Sequence, residues 1–154
     1  MNKIYLGIDP GQKGALAMIH GTEVSVIEMP VLGNKEIDGL TIFNWLPISS
    51  PDQDVVCALE KAQAMPKQGI TSTFNYGVGF GVIKTALNIT KTPYIEVRPA
   101  KWKKYFSLKS DKKQAVAMAS KLFPDIIFHT PRGRILDGHA EALLLAYYVK
   151  QGQV

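Results

Sequence analysis

Apolar and polar positions alternate with period two over residues 3–9, where Ile4, Leu6 and Ile8 share one side of a strand and Tyr5, Gly7 and Asp9 the other. Two further short strands are predicted at 14–19 and 23–29 around the turn His20-Gly21-Thr22, so the chain opens as an antiparallel meander. Residues 30–52 are broken by Gly, Pro and Ser, with room for a short helix within 35–46. Residues 54–60 form an apolar run closed by an acid, the pattern of a central strand buried on both faces. A long helical pattern follows over 70–89, with Phe74, Val78, Val82, Ala86 and Ile89 in one stripe predicted to face the core. Gly77, Gly79 and Gly81 weaken that helix by about 1 kcal/mol each relative to Ala, and are predicted to permit close approach to the sheet or to another helix.

Residues 93–97 predict another buried strand, closed by Arg98-Pro99. A helix is predicted over 111–123, with Ser110 as N-cap and Pro124 beyond its end, and a last one over 136–149. The order predicts an α/β fold: a mixed sheet of about five strands, antiparallel meander plus parallel strands, with helices on both faces. At 154 residues the chain is long enough for one core, so residues 1–154 are expected to form a single domain.

Composition adds little until position is considered. The single cysteine, Cys57, lies inside Val55-Val56-Cys57-Ala58-Leu59 and fits a reduced core residue better than a disulfide or a metal ligand. The opening MNKIYLGIDPG has neither the apolar length of a membrane span nor the pattern of a signal peptide. A cytoplasmic setting is expected, or an organelle matrix if the chain is a processed organellar protein. The formal net charge is +5, and its distribution matters more than its total. Arg98, Lys101, Lys103, Lys104, Lys109, Lys112 and Lys113 face one acid, Asp111, within sixteen positions. A solvated helix face would explain this; so would a patch that neutralises phosphates. Trp102, Tyr105 and Phe106 are interleaved with these cations and read first as core aromatics.

Acids sit where strands and helices end. Asp9 closes the first strand, Glu60 the fourth, and the last helix opens LDGHAEALLLAYY, with Asp137 and Glu141 four apart on one face. Each has an ordinary explanation: Asp9 before Pro10-Gly11 forms an Asx-type turn, Glu60 pairs with a cation, and Asp137 favours the helix dipole. Those explanations do not account for all of them together. If strands one and four are neighbours, Asp9 and Glu60 emerge side by side, and a helix across that edge adds Asp137 and Glu141. Four carboxylates in one place repel unless cations intervene, and hard oxygen donors of this kind suit Mg²⁺, with Mn²⁺ able to substitute. Such a cluster beside a basic stretch points to two-metal phosphodiester hydrolysis.

The runs GIDPG at 7–11, ALEKAQAMPKQG at 58–69, VRPAKWKKYF at 97–106, SDKKQAVAMASKLFP at 110–124 and DGHAEALLLAYY at 137–148 resemble, in this order, the RuvC-like Holliday junction resolvases. The resemblance is strongest to short phage and organellar members of the RNase H-like superfamily, and leaves out mainly residues 30–52. It implies an RNase H-like fold, a homodimer, no organic cofactor, and paired symmetric nicks in branched, four-way DNA. The family's catalytic acids fall on Asp9, Glu60 and Glu141, with Asp137 taken for the fourth position. His139 stands two before Glu141, about 200° around a helix, and is expected to face elsewhere.

The resemblance further implies a lysine beside the metal site, Lys103 or Lys113; from the basic stretch itself, phosphate contacts are expected of Lys101, Lys103, Lys104, Lys109, Lys112 and Lys113. Gly11 is expected to let the turn pass close to the site. In place of the aromatic that wedges into the junction in some members, the chain has Gln63-Ala64-Met65-Pro66, leaving Met65 or Phe74 as candidates. The same acids would serve an RNase H-like nuclease acting on RNA–DNA hybrids, flaps or other branched DNA. A two-domain ATPase of the actin and sugar-kinase type needs two copies of the core, and a DNA-binding module without catalysis has no use for acids facing phosphate.

Overall fold

The computed structural model describes residues 3–48, 50, 52–109 and 111–153. The expected meander forms β1 (Ile4–Asp9), β2 (Ala15–His20) and β3 (Glu23–Glu28), followed by α1 (Gly39–Trp45), β4 (Val55–Glu60), α2 (Ile70–Ile89) and β5 (Tyr94–Val97). The chain ends with α3 (Pro99–Tyr105), α4 (Lys112–Leu122) and α5 (Asp137–Lys150). One five-stranded sheet results, in the order β3-β2-β1-β4-β5. β1 pairs antiparallel with β2 and parallel with β4, and β4 pairs parallel with β5.

Period-two alternation divides the sheet between two cores. Ile4, Leu6 and Ile8 of β1 and Val55, Cys57 and Leu59 of β4 face α1 and α2, where Ile42, Ile83 and Leu87 complete a buried cluster. Ala15, Ala17, Ile19 and Ala58 face the other way, onto α5, with Trp102, Phe106, Ala115 and Ala119 around it. Cys57 is buried and unpaired, and burial pushes its thiol well above the ordinary range, as expected of an inert core cysteine. No described helix is long and apolar enough to cross a membrane.

Two local expectations differ from the structure. Helix α2 buries Gly79, Ile83, Ala86 and Leu87, whereas Phe74, Val78 and Ile89 of the predicted stripe are 69%, 48% and 63% exposed. The helix is apolar on most sides, so periodicity alone did not single out the face that meets the sheet. Of its three interior glycines only Gly79 is closely approached, by Ile37; Gly77 and Gly81 face open space. The Ser110 cap lies outside the described residues, and Asp111 is the residue that caps α4, its carboxylate accepting from the Lys113 amide at 2.9 Å. The basic stretch thus contributes two helices, α3 and α4, joined by a turn in which Ser107 takes positive φ.

Helix α5 rests directly on β1. A Cβ at Gly7 would collide with the Ala142 carbonyl oxygen and the Ala146 amide, and one at Gly138 would collide with the Lys13 carbonyl oxygen in the β1–β2 turn. Helix backbone therefore touches strand and turn backbone at two points. Gly7→Ala is expected to cost about 3 kcal/mol, the upper end for overpacking, and to lower the Tm in a thermal melt by about 6–12 °C. An unchanged Tm would mean that α5 is not seated this closely.

Candidate active site

Asp9 and Glu60 are brought together by register. Ile8 pairs with Leu59 across the parallel β1–β4 ladder, so the next residues leave the sheet side by side. Gly7 and Ala58, two residues before each, face α5, so both carboxylates point to the α5 side. Helix α5 crosses that end of the sheet and delivers Asp137 and Glu141 from successive turns. Asp9, Asp137 and Glu141 line one cleft of about 770 Å³. Glu60 is buried behind it, coupled electrostatically to Asp9 and Glu141.

The cluster carries more negative charge than its surroundings balance. Burial first, and then Glu141, Glu60 and Asp137, hold the Asp9 carboxyl well above its usual range. Burial likewise raises Glu60, partly offset by the indole of Trp102. Among the described residues Asp9 has no ion-pair or side-chain hydrogen-bond partner. Two cations from the basic helices reach its neighbours: Lys103 Nζ lies 3.4 Å from Glu141 and Lys112 Nζ lies 2.6 Å from Asp137. No three His, Cys, Asp or Glu side chains among the described residues close on a single point as a preformed ion cage. A set of hard oxygen donors, one of them unpaired and raised by burial and by like charges, fits a divalent cation.

The predicted cations divide between two positions. Lys103 and Lys112 stand at the acids; the Lys113 amide joins the α4 cap, and its side chain is exposed outside the cleft. Lys101, Lys104 and Lys109 are exposed on α3 and the turn after it. His139 is away from the cleft, its Nε2 buried without a partner, and burial lowers its pKa. A Cβ at Gly11 would meet the Tyr76 ring only at ordinary contact distance, whereas Gly14 is the residue whose missing side chain lets the turn close on the Asp9 backbone. Met65 and Phe74 are both exposed, and Phe74 lies at the cleft wall.

Sequence reasoning missed two residues. Trp102, taken for core, is fully buried, yet its Nε1 donates to Glu60 Oε2 at 2.7 Å. An indole can only donate, so the bond occupies one carboxylate oxygen and leaves the other free. Tyr76 on α2 reaches the cleft from the opposite face of the sheet. Burial, then Asp9, Glu60 and Glu141, raise its hydroxyl well above the ordinary range. Its place beside Asn75 gave no signal of this, because the approach depends on how far α2 extends past the sheet end.

Neither a protein-family model nor a curated relative matches the sequence. Two solved structures of Thermus thermophilus RuvC share the fold, one of them in complex with a Holliday junction substrate. Each is 16% identical, covers 97% of either chain and superposes with a TM-score of 0.60. The fold is that of RuvC, RNase H-like, as the order of motifs implied.

Raised carboxyls bind their protons more tightly in the folded chain than in the unfolded one. Their contribution to stability is therefore greatest below the ordinary carboxylate range and is lost as pH rises through the raised values. Asp9→Asn is expected to raise the Tm at neutral pH, by about 2–4 °C for each kcal/mol relieved, with the gain vanishing near pH ~4. Added Mg²⁺ should stabilise the parent chain and not the variant. A lower Tm for Asp9→Asn at neutral pH would contradict the clustering. Trp102→Phe keeps the buried ring and removes the donor; it is expected to raise the Mg²⁺ midpoint of that stabilisation by about tenfold, the scale of a lost outer-shell partner. An unmoved midpoint would make Trp102 a packing residue only.

Proposed function

We propose that the chain is a metal-dependent, structure-selective endonuclease that resolves four-way DNA junctions by paired symmetric nicks. The observation that carries this reading is the meeting of Asp9, Glu60, Asp137 and Glu141 at one end of the sheet, with lysines of two basic helices beside them. Support comes from the RuvC fold and from the neighbour solved with a Holliday junction.

Asp9, Glu60, Asp137 and Glu141 would hold two Mg²⁺ ions, which when bound supply charge stabilisation at the scissile phosphate and a lowered pKa for water. The chain's own groups do the rest. Lys103 and Lys112, which stand beside Glu141 and Asp137, would present their ammonium groups to the phosphate oxygens, where negative charge develops. Lys101, Lys104, Lys109 and Lys113 hold the DNA backbone on either side. Water oxygen bonds to phosphorus, the bond from phosphorus to the 3′ oxygen breaks, and that oxygen takes up a proton. The products carry 5′-phosphate and 3′-hydroxyl ends, with no covalent link to the protein.

A near two-fold substrate calls for two sites, and a homodimer supplies them. The exposed apolar face shared by α1 and α2, with Leu40 70% and Ile89 63% exposed, suits such a pairing. The only charged residue on α2 is Lys84, which is engaged by Glu96 at 2.7 Å.

The test offers purified protein a four-way junction, a flap, a linear duplex and an RNA–DNA hybrid in Mg²⁺, and maps the cuts. Nicks on opposing strands at equal distance from the branch are expected from a species of twice the 17.0 kDa chain mass. Asp9→Asn should abolish cutting and retain junction binding. Degradation of the hybrid in preference to the junction would select the hybrid nuclease instead, and full activity of Asp9→Asn would refute the site.

A further inference from the structure

One wall of the cleft is built by residues outside the motif resemblance. Residues 31–37 fold as a small hairpin, bridged from Val31 to Ile37 and closed by the Leu32 amide donating to Glu36 at 2.8 Å. It is fastened on two sides. Gln12 Nε2 donates to the Lys35 carbonyl at 2.6 Å, tying it to the β1–β2 turn, and Ile37 fills the space left by Gly79 on α2. The cleft runs from Asp9, Asp137 and Glu141 into the gap between this hairpin and α2.

The chemistry changes along that gap. At the acid end stand Lys13 and Lys112; the α2 lining includes Ser72, Asn75, Tyr76 and Gly79, the last three lying three, four and seven residues on from the first and so on one helical face, together with the rings of Phe74 and Phe80. No charged residue occurs on α2 before Lys84. A wall without cations offers nothing to a phosphate. Hydroxyl, carboxamide and phenol groups beside aromatic rings suit the edge and face of a nucleobase. Across the gap the hairpin presents Asn34 with Lys35 and Glu36, two opposite charges side by side. The whole cleft, acid end included, has a volume of about 770 Å³, the size of a small-ligand pocket and too small for a duplex.

We propose that the gap between the hairpin and α2 receives one unpaired base of the scissile strand, next to the phosphate held at the acids, and that Asn75 with Tyr76 reads it. This rests on the nuclease reading and extends it: branched DNA is cut where a base at the branch can turn out of the stack into the gap, at an unstacking cost least for bases already weakly paired. Base choice at the cut then comes from α2 and the hairpin, separately from the carboxylates that support cleavage.

The test measures, on junctions varied at each nucleotide flanking the mapped cut, the ratio of cleavage between the best and the worst base. The parent chain should select strongly at one position. Asn75→Ala, an exposed change that leaves the core intact, should reduce that ratio at least fivefold, while Asn88→Ala near the far end of the same helix should leave it unchanged. With an abasic site at the selected nucleotide, the parent and Asn75→Ala should cleave at equal rates, since the base they differ over is gone. Cutting by the parent with a ratio unaltered in Asn75→Ala, or a difference that survives at the abasic site, would overturn the base pocket and leave the nuclease reading standing. Failure of the parent to cut any branched DNA would defeat that reading itself, and the pocket with it.

Discussion

Everything at the site depends on how closely α5 lies against β1. Side chains at Gly7 or Gly138 would stand where helix, strand and turn backbones now meet. That contact sets the depth of Asp137 and Glu141 over the sheet end, while the β1–β4 register sets Asp9 beside Glu60. Four carboxylates from three elements far apart in sequence are thus placed by backbone packing. Their repulsion is built into the fold, and the core of Leu143, Leu144 and Leu145 with Ile19 and Trp102 holds α5 against it.

That repulsion explains the basic helices. α3 places Lys103 at Glu141 and, one residue earlier, buries Trp102 with its indole on Glu60. α4 places Lys112 at Asp137. A stretch of sequence that looked like a phosphate-binding surface therefore also balances the acids, and the two roles are compatible. A lysine neutralising a carboxylate would be freed were a divalent cation to take over that task, and would then stand within reach of a phosphate. Asp9, without such a partner, is where the charge imbalance is greatest.

Much of this was legible in the chain. Period-two alternation located β1, short apolar runs between turn signals located the other four strands, and acids at the ends of Ile4–Asp9 and Val55–Glu60 stood out because a carboxylate closing a buried strand is costly without a partner. Spacing of four put Asp137 and Glu141 on one face. What was not legible depends on tertiary geometry. Helix α2 is apolar nearly all round, so its pattern concealed which face meets the sheet, and Phe74 and Ile89 turned out exposed. Lys112 and Lys113 are adjacent and alike, and only the folded α4, capped by Asp111, shows that Lys112 is the one that reaches Asp137. Trp102 read as core because it is core, and nothing in its neighbours foretold a hydrogen bond forty-two positions away. The hairpin at 31–37 lay in a stretch with no periodicity at all.

The central claim is that Asp9, Glu60 and Glu141, with Asp137, jointly bind divalent cations. Anomalous diffraction from crystals grown with Mn²⁺ tests it most directly. The account predicts manganese peaks within about 2.0–2.4 Å of oxygens from Asp9 and at least one of Glu60, Asp137 and Glu141, with Lys112 displaced from Asp137. Manganese bound elsewhere, with the Lys103–Glu141 and Lys112–Asp137 pairs intact and Asp9 unligated, would contradict it.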